Sequence, residues 1–220
     1  MSLALLGGLI VIPSGPVLAD LPHDPAEREA LEGSDFALTD SAFLVVLWLI
    51  LKAQALPRIS GLRFLRKLLA QEEFRRPGAT FWVMPNAEGA QANRRWLQGK
   101  GLTIGEEECY LAPLYPPGPL EDTSLLSLVE TKRPTFVIIN LGGGVQERLG
   151  YYLRRQLSYR PTIVCSGAAI AFMSGQQANI PPWADRLFLG WFLRSCHDPR
   201  RFIPRYWRAL KLVPLLLKSG

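Results

Sequence analysis

The apolar run Phe136-Val-Ile-Ile139 breaks off at Asn140-Leu-Gly-Gly-Gly-Val-Gln-Glu147, and no other segment narrows the fold as much. A β-branched run that ends in three glycines predicts a buried parallel strand turning into a tight loop. From Gln146 the spacing becomes helical, with Leu149, Tyr152, Leu153 and Leu157 on one face. Strand, glycine turn and helix together let backbone N–H groups approach a phosphate at a helix N-terminus. Gln146 and Glu147 then bring an amide and a carboxylate into the first turn. That combination suits the diphosphate and sugar of a nucleotide-sugar. The alternative is a glycine turn that only closes a strand–helix corner, because the spaced dinucleotide fingerprint is missing.

The same alternation runs along the chain. Strands are predicted over residues 3–12, 36–38, 79–84, 106–111, 135–139 and 162–165. Helices are predicted between them. Asp24-Pro25 has the N-cap and first-turn proline of one, with Gly33 as its C-cap. Residues 42–51 carry no charge and read as a buried helix within about 41–54. Leu62, Leu65, Leu68 and Leu69 mark another, residues 87–98 a polar one, and Asp122 caps a helix to about 131. The expected class is α/β, a Rossmann-like, mostly parallel sheet flanked by helices. Ligands of such sheets sit outside the carboxyl ends of the strands. Asp40, Pro85-Asn86, Gly142 to Gly144 and Ser166-Gly167 all fall at predicted strand ends, so they should cluster. After Gly175 the pattern is helical only. The expected division is an α/β catalytic core over 1–178 and a basic helical C-terminal appendage over 179–220.

Charge is distributed unevenly. Eight of the 25 Lys and Arg lie from Arg186 onward against one acid, Asp198, in a chain of net charge +6. A basic end rich in Trp, Tyr and Leu favours an anionic surface. No nucleic-acid motif accompanies it, and the cations are interleaved with leucines, so no nucleic-acid partner is expected. The three cysteines, Cys109, Cys165 and Cys196, are widely spaced and suggest neither a disulfide framework nor a zinc site. The first eleven residues lack the basic region of a secretory signal. No apolar run is long enough to span a bilayer, so membrane contact is expected to be peripheral. There is no Asp-x-Asp pair, and His23 and His197 are isolated. No metal site and no cofactor are expected.

Several short motifs, in order and at matching spacing, resemble the WecG/TagA/CpsF family of bacterial glycosyltransferases from about Val11 to Tyr206. They are Ser14-Gly15, Asp24-Pro25, Ser34-Asp35, Thr39-Asp40-Ser41, Arg58-Ile-Ser-Gly61 and Gly142-Gly-Gly-Val-Gln-Glu147. Asn179-Ile-Pro-Pro-Trp183, Phe188-Leu-Gly-Trp191-Phe-Leu-Arg194, Asp198-Pro-Arg-Arg201 and Arg205-Tyr206 continue the series. The chain departs from the family pattern at Ile12, where the family carries Thr, and at Ser14, Asn179 and Gly190.

The resemblance implies inverting transfer from a UDP-sugar to a polyprenyl-diphosphate-linked saccharide, in cell-envelope or exopolysaccharide synthesis. It implies Asp40 as the general base, which inversion needs opposite the leaving diphosphate. Read from the residues alone, Asp40 could instead cap the helix that starts at Ser41. Arg58 would contact diphosphate, since a planar guanidinium binds phosphate bidentately, or else be a solvated loop arginine. Ser14, Gly142, Gly143, Gly144, Gln146 and Glu147 would bind substrate. Arg194, Arg200, Arg201, Arg205 and Arg208 would meet the lipid diphosphate or the membrane. The expected location is cytoplasmic, peripheral at the inner face of the cell membrane, with a homo-oligomer left open. The competing reading is a catalytically silent relative that binds a nucleotide-sugar or a protein.

Overall fold

Apolar residues alternate between the two faces of the central strands, so the sheet must be covered on both sides. In the computed structural model, which describes residues 7–177, 181, 183–184 and 190–218, this is what is found. The strands are β1 (Gly8–Val11), β2 (Phe36–Ala37), β3 (Thr80–Met84), β4 (Cys109–Leu111), β5 (Phe136–Ile139) and β6 (Thr162–Cys165). They form one sheet in the order β2-β1-β6-β5-β3-β4, with every pairing parallel. Ile10, Trp82, Met84, Phe136, Ile138 and Val164 point to one face. There they meet Leu65, Leu68 and Leu69 of α4 (Gly61–Leu69), Phe74 of α5 (Glu72–Arg75), Leu97 of α6 (Ala87–Gln98) and Ile170 of α9 (Ala169–Met173). The residues between them, Leu9, Val11, Phe81, Val83, Val137, Ile139, Ile163 and Cys165, point to the other face. That face is covered by Leu125 and Val129 of α7 (Thr123–Lys132) and by Leu149 and Leu153 of α8 (Val145–Gln156).

Side-chain caps set the helix starts. Asp24 accepts from the Glu27 N–H at the head of α2 (Pro25–Glu32), and Ser41 from Leu44 at the head of α3 (Ala42–Lys52). Ser60, Asn86 and Asp122 do the same for α4, α6 and α7. Each such cap stabilises its helix by about 1 kcal/mol. Asp35 ties β1 to α8 by accepting from the Leu9 N–H and from Arg154. Burial alone would raise the Asp35 pKa, but these bonds and Arg160 bring it below the usual carboxylate value.

One helix is additional to those expected: α1 (Gly15–Asp20) follows β1, with Pro16 in its first turn. Two expectations need correction. Only Cys109–Leu111 of the predicted 106–111 strand pairs, because Glu106–Glu108 form a 3₁₀ turn closed by Gly105 N–H donating to Glu108. Most important, α3 is not a buried helix. Val45 is its single buried residue, and Val46, Leu49 and Ile50 are exposed. The helix follows β2, a two-residue edge strand that offers little sheet to cover it.

Beyond β6 the described elements are all helical: after α9 come α10 (Gly190–His197), α11 (Pro199–Ala209) and α12 (Leu212–Lys218). α11 and α12 pack on α1, α12 also meets α3, and Phe202, Ala209 and Leu212 are buried there.

Candidate active site

The chain leaves β1 for the β2 edge and then crosses to β3 on the far side, which opens a crevice at the strand ends. A cavity of about 540 Å³ occupies it. Asp40, Pro85, Asn86, Gly142, Gly143, Ser166 and Gly167 line this cavity, so these strand-end residues cluster; Gly144, expected with them, is not in its lining.

Its floor is a hydrogen-bonded loop system. The Gly144 N–H and the Gln146 amide nitrogen both donate to Glu147, at 2.7 and 2.8 Å. The Gln146 amide oxygen accepts from the Gly167 N–H at 2.7 Å, so one side chain joins the loops after β5 and β6. Ser166 donates to the Asn140 side-chain oxygen at 2.8 Å. Gly144, at φ +89°, has the left-handed backbone that favours glycine. At Gly143 a Cβ would stand 2.7 Å from Val17 Cγ2, so only glycine lets the loop lie against α1. Gln146 lines the cavity, whereas Glu147 is wholly buried beneath it and engaged by the loop. Burial pushes the Glu147 pKa up, against the hydrogen bonds from Gln146 and Gly144 and the charge of Arg148. Glu27 of α2 lies next to it, 2% exposed, with neither carboxyl oxygen hydrogen-bonded. Burial first, then Glu147 and Asp24, push the Glu27 pKa up to about 9.

Asp40 sits where this cavity meets a second one. Its Oδ1 accepts from the Gly61 N–H at 3.2 Å and stands 3.7 Å from the Arg58 guanidinium. Arg58 also donates from Nε to the Asp40 carbonyl at 2.8 Å, which fixes the loop. Capping of α3 is done by Ser41, so Asp40 is not needed for it. The second cavity, about 520 Å³, is lined by Phe43, Val46 and Arg58 on one side and Trp191, Ile203, Tyr206, Trp207 and Leu210 on the other. Ser14 and Asp40 belong to both cavities. The site is therefore a two-lobed cleft, one lobe polar and one largely apolar. α11 walls both, with Phe202 in the first and Tyr206 in the second.

Phe202, Tyr206, Phe43 and Asn140 were not singled out as site residues from sequence. Tyr206 entered only as part of the Arg205-Tyr206 motif, and Asn140 only as the end of the apolar run before the glycines. Arg200 and Arg208 are exposed. The side chains of Arg194, Arg201 and Arg205, and residues Asn179 and Arg186, lie outside the described residues. Among the described residues, no three His, Cys, Asp or Glu side chains gather as a metal-binding set, and no helix is long and apolar enough to cross a membrane.

The family model for glycosyl transferase WecG/TagA/CpsF matches residues 4–220, nearly the whole chain. The chain belongs to the WecG/TagA/CpsF glycosyltransferase family. No curated protein matches it at a significant level. A glycosyltransferase has to bring two substrates to one point, and a WecG/TagA/CpsF cleft with two lobes that share a carboxylate has the shape for that task.

Proposed function

We propose that this protein is an inverting, metal-independent glycosyltransferase that moves a sugar from a UDP-sugar to a polyprenyl-diphosphate-linked saccharide in cell-envelope or exopolysaccharide synthesis. The observation that carries the reading is the meeting of the two lobes at Asp40. The donor occupies the polar lobe, with its diphosphate against the glycine loop and the sugar toward Gln146. The lipid-linked acceptor enters by the apolar lobe. Asp40 removes the proton from the acceptor hydroxyl as that oxygen bonds to the anomeric carbon. Attack comes from the face opposite the diphosphate, the bond to the diphosphate oxygen breaks, and UDP leaves. Arg58 holds the Asp40 loop in place and lies within reach of a diphosphate at the junction. Backbone N–H groups and arginine offset the leaving-group charge. Arg194, Arg200, Arg201, Arg205 and Arg208, on or beside the helices that wall the cleft, serve the lipid diphosphate and an anionic leaflet. The protein then works on the cytoplasmic face of the membrane as a peripheral protein, with the 1–178 core doing the chemistry and the 179–220 appendage the lipid contact.

One observation favours a second reading. Ile12 lines the polar lobe and puts an aliphatic side chain where the family pattern has a hydroxyl. A relative that binds nucleotide-sugar without turnover would tolerate that. A panel of UDP-sugars, assayed for UDP release with a short-chain polyprenyl-diphosphate acceptor, separates the two. Release that depends on acceptor supports transfer. Saturable UDP-sugar binding without release supports the silent relative.

A further inference from the structure

We propose that the exposed apolar face of α3 inserts in-plane into the headgroup and upper acyl region of an anionic bilayer, as a second membrane contact beside the basic C-terminal helices. Phe43, Val46 and Ile50 follow one another at helical spacing, with Leu49 alongside. Val46, Leu49 and Ile50 are 46, 50 and 72% exposed. No charged residue lies between Ser41 and Lys52, so this helix lacks the polar outer face of an ordinary surface helix. At 11 residues it is about 16 Å long, which suits lying in an interface and not spanning it.

The face does not stop at α3. Phe43 and Val46 continue into the apolar lobe, and Ile203, Trp207 and Leu210 on its opposite wall are themselves 46, 69 and 45% exposed. The result is one apolar surface around the mouth of the lobe, with Trp191 and Trp207 at its edge, where amphipathic indoles favour a membrane–water boundary. Lys52 closes α3, and Arg208 and Lys211 are exposed at the α11–α12 junction. A bilayer with anionic headgroups complements that rim. A second copy, also carrying +6, would set like charge against like. The consequence, which rests on the lipid-linked acceptor proposed above, is that the acceptor lobe opens at the bilayer surface and the carrier reaches Asp40 without crossing water.

The test uses the full chain and vesicles of phosphatidylcholine with about 30% phosphatidylglycerol, a strongly anionic surface. In the variant L49S/I50S, neither altered side chain lines the cleft. The expected result is vesicle binding weakened by about tenfold or more, with unchanged circular dichroism and unchanged transfer to a short water-soluble acceptor. An environment-sensitive fluorophore at Ile50→Cys, in a background where the exposed Cys196 is Ser, should shift to the blue on vesicle addition. Undiminished vesicle binding together with an unshifted probe would overturn the proposal. So would a wild-type dimer that L49S/I50S makes monomeric while vesicle binding persists, since the face would then join two copies. Absence of sugar transfer would count against the proposed function alone, because the binding and probe measurements do not need turnover.

Discussion

Replacing Glu27 by Leu should stabilise this protein, and increasingly so as pH rises. Glu27 is buried between α2 and α8 with neither oxygen hydrogen-bonded and with Glu147 as a neighbour. A buried polar group without a partner costs about 1–3 kcal/mol even when neutral. Its pKa is raised from 4.5 to about 9, so between those values the folded protein keeps the proton while the unfolded chain releases it. The unfolded state then binds fewer protons, and stability falls with pH by up to about 1.4 kcal/mol per unit across that window. Below the unfolded pKa the ionisation part vanishes and only the lost hydrogen bonding remains. Leucine removes both penalties and keeps apolar packing under the glycine loop. The gain should be about 1–3 kcal/mol near and below the unfolded pKa, where lost hydrogen bonding dominates, and should grow by up to about 1.4 kcal/mol per pH unit above it. At about 2–4 °C per kcal/mol for a chain of this size, Tm should rise by several degrees or more at pH 7. Thermal unfolding of both proteins by circular dichroism at pH 5, 7 and 8.5 measures it. A variant that melts below wild type, or a difference that does not widen with pH, would refute the reasoning.

Other outcomes follow from the loops. Arg58→Ala and Gln146→Ala should each reduce kcat/KM for the donor by an amount equivalent to about 1–3 kcal/mol, the loss of a charged or buried hydrogen bond. Steady-state kinetics with varied UDP-sugar checks this. Gly143→Ala should keep the fold but weaken donor binding by displacing the loop from Val17, as calorimetric titration with UDP would show. Gly150→Ala, whose Cβ would meet Leu9 at 2.7 Å and Cys165 at 2.9 Å, should instead cost about 1–3 kcal/mol of stability in a urea titration. EDTA should leave turnover unchanged, and activity lost to chelation and restored by magnesium would contradict the metal-independent reading.

Where local chemistry decides, the sequence was readable. The helix Ala87–Gln98 and the strand Thr162–Cys165 lie at their expected residues, because a side-chain cap or a β-branched run sets each of them. The clustering of strand-end residues followed from parallel topology alone. The errors arose where distant packing decides. The ten uncharged residues of α3 show that the helix is apolar but not what covers it, and the short β2 edge leaves much of it open. Glu147 follows the glycines as a first-turn acid, and its carboxylate accepts from the Gly144 N–H and the Gln146 amide; that it lies wholly buried comes from the docking of α8, which the local sequence does not show. Glu27 reads as an ordinary first-turn acid in Asp24-Pro-Ala-Glu-Arg, and only the docking of α2 on α8 buries it. Phe202 and Tyr206 reach the cleft because α11 packs on α1, a contact between residues far apart in the chain.

The central claim is that the shared carboxylate of the two lobes is the base for sugar transfer. The most direct measurement compares wild type and Asp40→Asn for UDP release, with the reactive UDP-sugar and a polyprenyl-diphosphate-linked acceptor. Asparagine keeps the size of the side chain and an oxygen that can accept from the Gly61 N–H. The variant should therefore fold and bind UDP as wild type does. Its transfer rate should fall by roughly 10²–10⁴-fold, the usual effect of removing a general base. Near-normal turnover by Asp40→Asn would contradict the account.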